Sequence, residues 1–500
     1  MTRAEAVKRV LGAGAAGGSG GSSAAGAAGA GAAGGTGGTA GTGGAAGGVG
    51  GSSAGAGGGA GTGGSGGTAG VGGGGAGGAG GGVSTSYPWL MVTSGNTLTL
   101  LGIEDLTAVK SAKLKTSSSY HTWSPDGNAL LLHDSGNVIA QRVDETGASD
   151  RFTVTSTSGG SYPQTAWSRD GQIISAVSAS RELRLLPAYQ DLPTSTVLTY
   201  QAIALEWSPS RNEFLLLNGY PGSDQLYIGL PDGSLRQIAK AGATVSEMSW
   251  SDDGDYVLYK TSEGRFLVER SASGTDPGTA LPDAKQWSWL PGGHLFVTYG
   301  NAPLRLFDAS NPSSPTDLTT EDVSGVGVSP TGDQLVWSNG TMGGLVEPGT
   351  QAATALTGNP FHYSTEWNPS GSRLIYRNET ATQLVYLDVN PLEEVLLVSG
   401  SAPVYLSPTA QTAFYAIGET AYLRDTSANP PGTSLPVYST GSSFVRLTGV
   451  GWSPQGDRAL FDATMNGSPT ALQALKVDGL AVSAPVQIYS GGGTYEWQPR

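Results

Sequence analysis

Five hundred residues with 26 basic against 40 acidic side chains, a net charge of −14, lack the basic footprint that nucleic acid or an anionic membrane surface demands. The absence of cysteine excludes disulfides, thiolate nucleophiles and cysteine-ligated zinc or iron–sulfur centres. No run of eighteen apolar residues occurs, so no transmembrane segment is expected.

Residues 1–12 begin like the basic region of a signal peptide but lack the apolar stretch that should follow. Residues 13–83 are almost wholly Gly, Ala, Ser and Thr, without charge or aromatic. Such a segment cannot bury enough apolar surface to offset the entropy of ordering its backbone, so a disordered linker is expected, with a mean span of about 45 Å. Gly17-Gly18-Ser19-Gly20-Gly21 matches a nucleophile-elbow pattern there, but with no flanking strand or helix the match carries no chemistry.

From residue 84 onward the composition changes, and one phrase organises the rest. Trp123-Ser124-Pro125-Asp126-Gly127 joins a buried aromatic to a type I turn, with Pro at the second position and Gly at the fourth, and the apolar run Ala129-Leu130-Leu131-Leu132 follows as a strand. The phrase returns in degenerate form at Trp167, Trp207, Trp250, Trp289, Trp367 and Trp452, with Val328 and Leu406 standing in the Trp place and a last copy at Trp497. Intervals between these positions run from 39 to 46 residues. A period near forty holding about four short strands predicts a β-propeller. Continuous apolar runs such as Phe214-Leu215-Leu216-Leu217 predict middle strands covered on both faces.

Pro88–Val92, Thr97–Leu101 and Thr107–Lys110 read as three strands without an entry strand before them, while Trp497 closes an entry strand with none after it. These complete one blade and predict closure by pairing of N- and C-terminal strands. The fold class is therefore all-β, a propeller of four-stranded blades with about ten repeats over 84–500, or, alternatively, two smaller propellers. Ten exceeds the usual range of about four to eight blades.

The Trp-Ser-Pro-Asp-Gly repeat followed by an apolar strand resembles the TolB-like propeller family over nearly all of 84–500. No Trp-Asp dipeptide of the WD type accompanies it. The resemblance implies a non-enzymatic binding scaffold, with protein partners or a small ligand, in the bacterial periplasm or at the cell surface. The chain departs from that family by its number of repeats and by lacking a small α/β domain ahead of them. Related propellers gate peptidases or form a polysaccharide lyase, which leaves a hydrolase or lyase as the competing class. No cofactor is expected, and the chain is expected to be a monomer.

Four histidines, His121, His133, His294 and His362, stand at different distances from their repeat Trp, so a metal or catalytic histidine site is not expected. Ser251-Asp252-Asp253-Gly254-Asp255 clusters carboxylates but lacks the rest of a calcium loop and coincides with the repeat turn, so an acidic turn is expected. The residue preceding the Trp position is Glu206, Glu366 and Glu496 in units three, seven and ten. Entry strands wall a propeller channel, so these near-evenly spaced carboxylates are the candidate ligand-binding residues, suited to a cation or a basic segment.

Overall fold

The computed structural model describes residues 88–499, apart from 115, 117–119, 157–163, 194, 200, 220–223, 283–284, 301, 357–365, 378–382, 390–391, 400–403, 410, 428–431, 443–444 and 466–467. Residues 1–12 and the expected linker 13–83 lie outside the described residues.

The repeat phrase folds as a hydrogen-bonded hub. In the first copy the N–H of Gly127 donates to the Ser124 carbonyl at 2.9 Å, closing the turn. The buried Ser124 Oγ donates to Asp126 Oδ1 at 2.6 Å and accepts the N–H of Ala129 at 2.9 Å. One hydroxyl therefore satisfies the turn carboxylate and the first amide of the next strand, groups that would be costly to leave unpaired. Ser168 with Asp170 and Ser251 with Asp253 repeat this arrangement. In the copy at Trp367 the serine is replaced by Asn368, whose Oδ1 accepts the N–H of Arg373 at 2.9 Å.

Each hub feeds an antiparallel sheet. Among the described residues nine sheets have four strands and one has five. The first combines Leu90–Ser94, Thr97–Gly102 and Lys110–Leu114 with the C-terminal strand Thr494–Trp497. Leu90 pairs with Trp497 and Val92 with Tyr495, so the N- and C-terminal strands share a sheet as expected. The other sheets follow in chain order, each built from consecutive strands. In the tenth, Ser468–Asp478 pairs outward with both Ala481–Val482 and Val486–Ser490.

One strand expectation fails. Thr107–Val109 is not in the third strand of the first sheet, which starts at Lys110. The Thr107 N–H and hydroxyl both bond to Asp105 Oδ1, at 2.9 and 2.7 Å, and this local turn delays the strand.

Second strands alternate between two neighbours, which explains their unbroken hydrophobicity. Leu130 and Leu132 pack on the first sheet, whereas Ala129 and Leu131 pack on the third. Val257 and Tyr259 face the fourth sheet and Leu258 the sixth. The same alternation carries contact through the later sheets, with Phe414 meeting the tenth and Ala413 and Tyr415 the eighth. Leu460 and Leu472 of the tenth sheet then pack on Leu90 and Val92 of the first. The sequence of contacts thus returns to its start after ten sheets. Among the described residues no core cluster joins a middle sheet back to an earlier one, as two separate rings would require.

Antiparallel pairing puts the repeat turns, and the turns between third and fourth strands, at one end of every sheet. The hairpins between second and third strands, and the connections between sheets, lie at the other end. The molecule therefore has a turn face and a hairpin face.

Candidate functional site

Repeat tryptophans are packing elements that also stitch sheet to sheet. Trp123, Trp167, Trp250 and Trp452 are buried, and their indoles point toward the preceding sheet. Trp167 Nε1 donates to the Thr122 carbonyl at 3.3 Å, Trp250 Nε1 to that of Glu206 at 3.2 Å, and Trp452 Nε1 to that of Tyr405 at 2.9 Å. In each case the acceptor is the residue just before the Trp position of the previous unit. Trp207 reaches the equivalent Ala166 carbonyl through Ser175, whose Oγ accepts at 3.1 Å and donates onward at 3.2 Å. Among the described residues the buried Trp123 and Trp367 indoles find no acceptor.

At Thr122, Glu206 and Tyr405 the residue before the Trp position therefore has a backbone role that its side-chain identity conceals. Glu206 is partly buried, and its Oε2 is shielded from solvent. Glu366 lies in the strand Glu366–Trp367, where it pairs with Ile375; its side chain lies outside the described residues. Glu496 is half exposed and approaches His121 of the next sheet, with Oε2 3.3 Å from Nε2. The three glutamates belong to the fourth, eighth and first sheets, so each stands at a different junction.

The remaining histidines divide between packing and charge. His133 is largely buried, which pushes its imidazole below the usual value; its Nε2 lies 3.2 Å from Thr165 Oγ1, and the Tyr120 ring covers it at 4.6 Å. His294 lies between two carboxylates, Nδ1 at 2.7 Å from Asp253 Oδ2 and Nε2 at 3.3 Å from Asp308 Oδ1. His362 is outside the described residues. Unit alignment is the signal that could have found His294. It stands five residues after Trp289 as Asn212 stands five after Trp207, and Asn212 Nδ2 donates to Asp170 Oδ2 of the preceding turn at 2.8 Å.

The Asp252–Asp255 segment is the acidic turn expected. Burial raises the Asp253 carboxyl, but hydrogen bonds from Ser251, the Asp255 amide and His294 outweigh it and hold the group below its ordinary value. Arg211 pairs with Asp255 at 2.6 Å, and Arg270 forks onto Glu213, whose carboxyl it holds low. Among the described residues no three histidine or acidic side chains converge as a metal site. An open depression of about 650 Å³ lies on the hairpin face between Gly242–Thr244 and Lys260–Ser262. Its cation, Lys260, already binds Glu247 at 2.8 Å.

No family model matches the chain, and no curated protein does. Solved structures similar to it include a eukaryotic initiation factor, at 12% identity over 83% of this chain and 99% of that one with a TM-score of 0.49. The dihydro-heme d1 dehydrogenase NirN in complex with DHE is similar at 16% identity over 63% and 73% of the two chains, TM-score 0.39. The C-terminal WD40 domain of Sif2 is similar at 13% identity over 72% and 95%, TM-score 0.35. The fold assignment stands on the sheets and their pairing, which make this chain an all-β protein of propeller type.

Proposed function

We propose that the protein is a non-enzymatic interaction scaffold whose rigid frame of sheets presents carboxylates to a basic segment of a protein partner. One observation carries this reading: three repeats set a carboxylate at the same place on the turn face, three residues after the Trp position, as Asp126, Asp170 and Asp253 do. Because hub bonds hold each one in place, they form a fixed, repeated pattern of negative charge. Such a pattern attracts cationic surfaces at long range and loses force as salt screens it. Glu206, Glu366 and Glu496 extend the same charge onto the entry strands.

The setting that suits this role is outside the cytoplasm. There residues 13–83 act as a tether, and the TolB-like resemblance of the repeats supports an envelope location. Cell fractionation checks the location; recovery in the cytoplasmic fraction alone contradicts it.

The functional reading is tested by titrating the protein with a Lys/Arg-rich peptide at low and high salt. Wild type binds, affinity falls as salt rises, and Glu206→Gln, Glu366→Gln and Glu496→Gln together abolish binding while the thermal transition stays in place. Unchanged affinity in the triple variant removes the entry-strand carboxylates from the site. Metal-dependent cleavage of a polysaccharide or peptide by the purified protein overturns the non-enzymatic reading in favour of a propeller lyase or hydrolase.

A further inference from the structure

The structure assigns to His294 the role of a proton-dependent latch that ties the turn face of the fifth sheet to the sixth. The sixth sheet has a degenerate repeat turn, Leu290-Pro291-Gly292-Gly293, with neither the hub serine nor its aspartate. The aspartates of the neighbouring turn bond to it instead. The N–H of Gly292 donates to Asp252 Oδ2 at 2.8 Å, the Asp252 amide donates to the Gly293 carbonyl at 3.1 Å, and His294 takes Asp253. His294 also reaches forward to Asp308, at the end of the third strand of its own sheet.

Both ring nitrogens thus face carboxylate oxygens, which only accept hydrogen bonds. A neutral imidazole carries one N–H and satisfies one carboxylate; the imidazolium carries two and satisfies both. Among the described residues, the side chains that bond to or stack on this ring are acidic or neutral, and the cation Arg211 pairs with Asp255. Asp252 and Asp253 come from the fifth turn, Asp308 from the sixth sheet, and the Tyr256 ring lies 5.3 Å away. Asp255 and Glu269 add negative charge around Tyr256, raising its hydroxyl after burial has done so. Both carboxylates that His294 touches are held below their ordinary value, Asp308 first by Ser310 and with a further part from His294.

The consequence has a definite sign. The doubly bonded latch is present while the ring is protonated and loses one bond when the ring gives up a proton. At strongly acidic pH it fails again, when Asp253 and Asp308 become protonated. Asn212, at the same place in the third repeat unit, makes the bridge to the preceding turn with an amide donor, which does not titrate.

Amide hydrogen exchange of the full chain, corrected for the intrinsic pH dependence of exchange, tests the latch at about pH 5.5 and about pH 8. In wild type, protection of 252–256 and 292–296 is expected to fall roughly five- to tenfold between these values relative to the equivalent turn at 168–173. His294→Asn should remove that difference. Equal pH dependence in wild type and variant overturns the proposal. If the variant does not fold, ¹⁵N NMR of the wild-type imidazole decides: both nitrogens protonated at pH 5.5 and one at pH 8 supports the latch, whereas one neutral tautomer at both values overturns it.

Discussion

Ser124 shows how much a single hydroxyl does here. Fully buried, it closes the path between turn and strand by serving Asp126 and the Ala129 amide together. Ser124→Ala leaves that amide buried without an acceptor, and we expect a loss of about 1–3 kcal/mol, read from denaturant unfolding. Ser262, exposed in the hairpin between Tyr256–Thr261 and Gly264–Glu269 and outside any hub, is the control position; its alanine variant should change stability by under about 0.5 kcal/mol. Gly127 has a second reason to be glycine: φ is +71°, and a Cβ there would collide with the Pro499 carbonyl. Trp250→Phe keeps an aromatic ring but removes the indole N–H that the Glu206 carbonyl accepts. About 1–2 kcal/mol of stability should be lost, while Trp123→Phe, at an indole without an acceptor, should cost less.

At the level of elements, the sequence reading worked where one residue type has one structural reason. The type I turn was legible because Ser, Pro, Asp and Gly each favour their own position, and middle strands were legible because both of their faces are buried. The delayed strand at Lys110 was missed because Thr107 bonds locally to Asp105, a competition that no hydrophobic pattern records. The stitches from the Trp167, Trp250 and Trp452 indoles to the previous unit were equally invisible, since each acceptor is a backbone carbonyl and any residue supplies one. For the same reason Glu206 reads in sequence as a side chain, while the structure gives its carbonyl the role of accepting the Trp250 indole. The role of His294 was not legible, because sequence alone does not show that it reaches the preceding turn, as Asn212 does, whereas Asn128 and Gln172 at the same place bond within their own turns.

Across the whole molecule, the repeats act as a circuit rather than a row. Each sheet buries one face on each neighbour, and the tenth meets the first, which itself depends on the C-terminal strand. That strand is held by more than its ladder. The Gln498 amide N–H donates to the Trp89 carbonyl at 2.9 Å, its side chain accepts from the Trp89 N–H at 3.0 Å and donates to the Gly127 carbonyl at 2.8 Å, and Tyr495 donates to Asp462 of the tenth sheet at 2.6 Å. Asp462 is a buried carboxyl pushed upward by that burial, so this contact tolerates mild acid without leaving a bare buried charge. Since no sheet has an edge that is buried by its own strands alone, closure should be cooperative. The most direct test is the thermal unfolding of the protein without residues 491–500: the account predicts a large drop in the transition midpoint with loss of cooperativity across all ten sheets, and a transition superimposable on that of the full chain would contradict it.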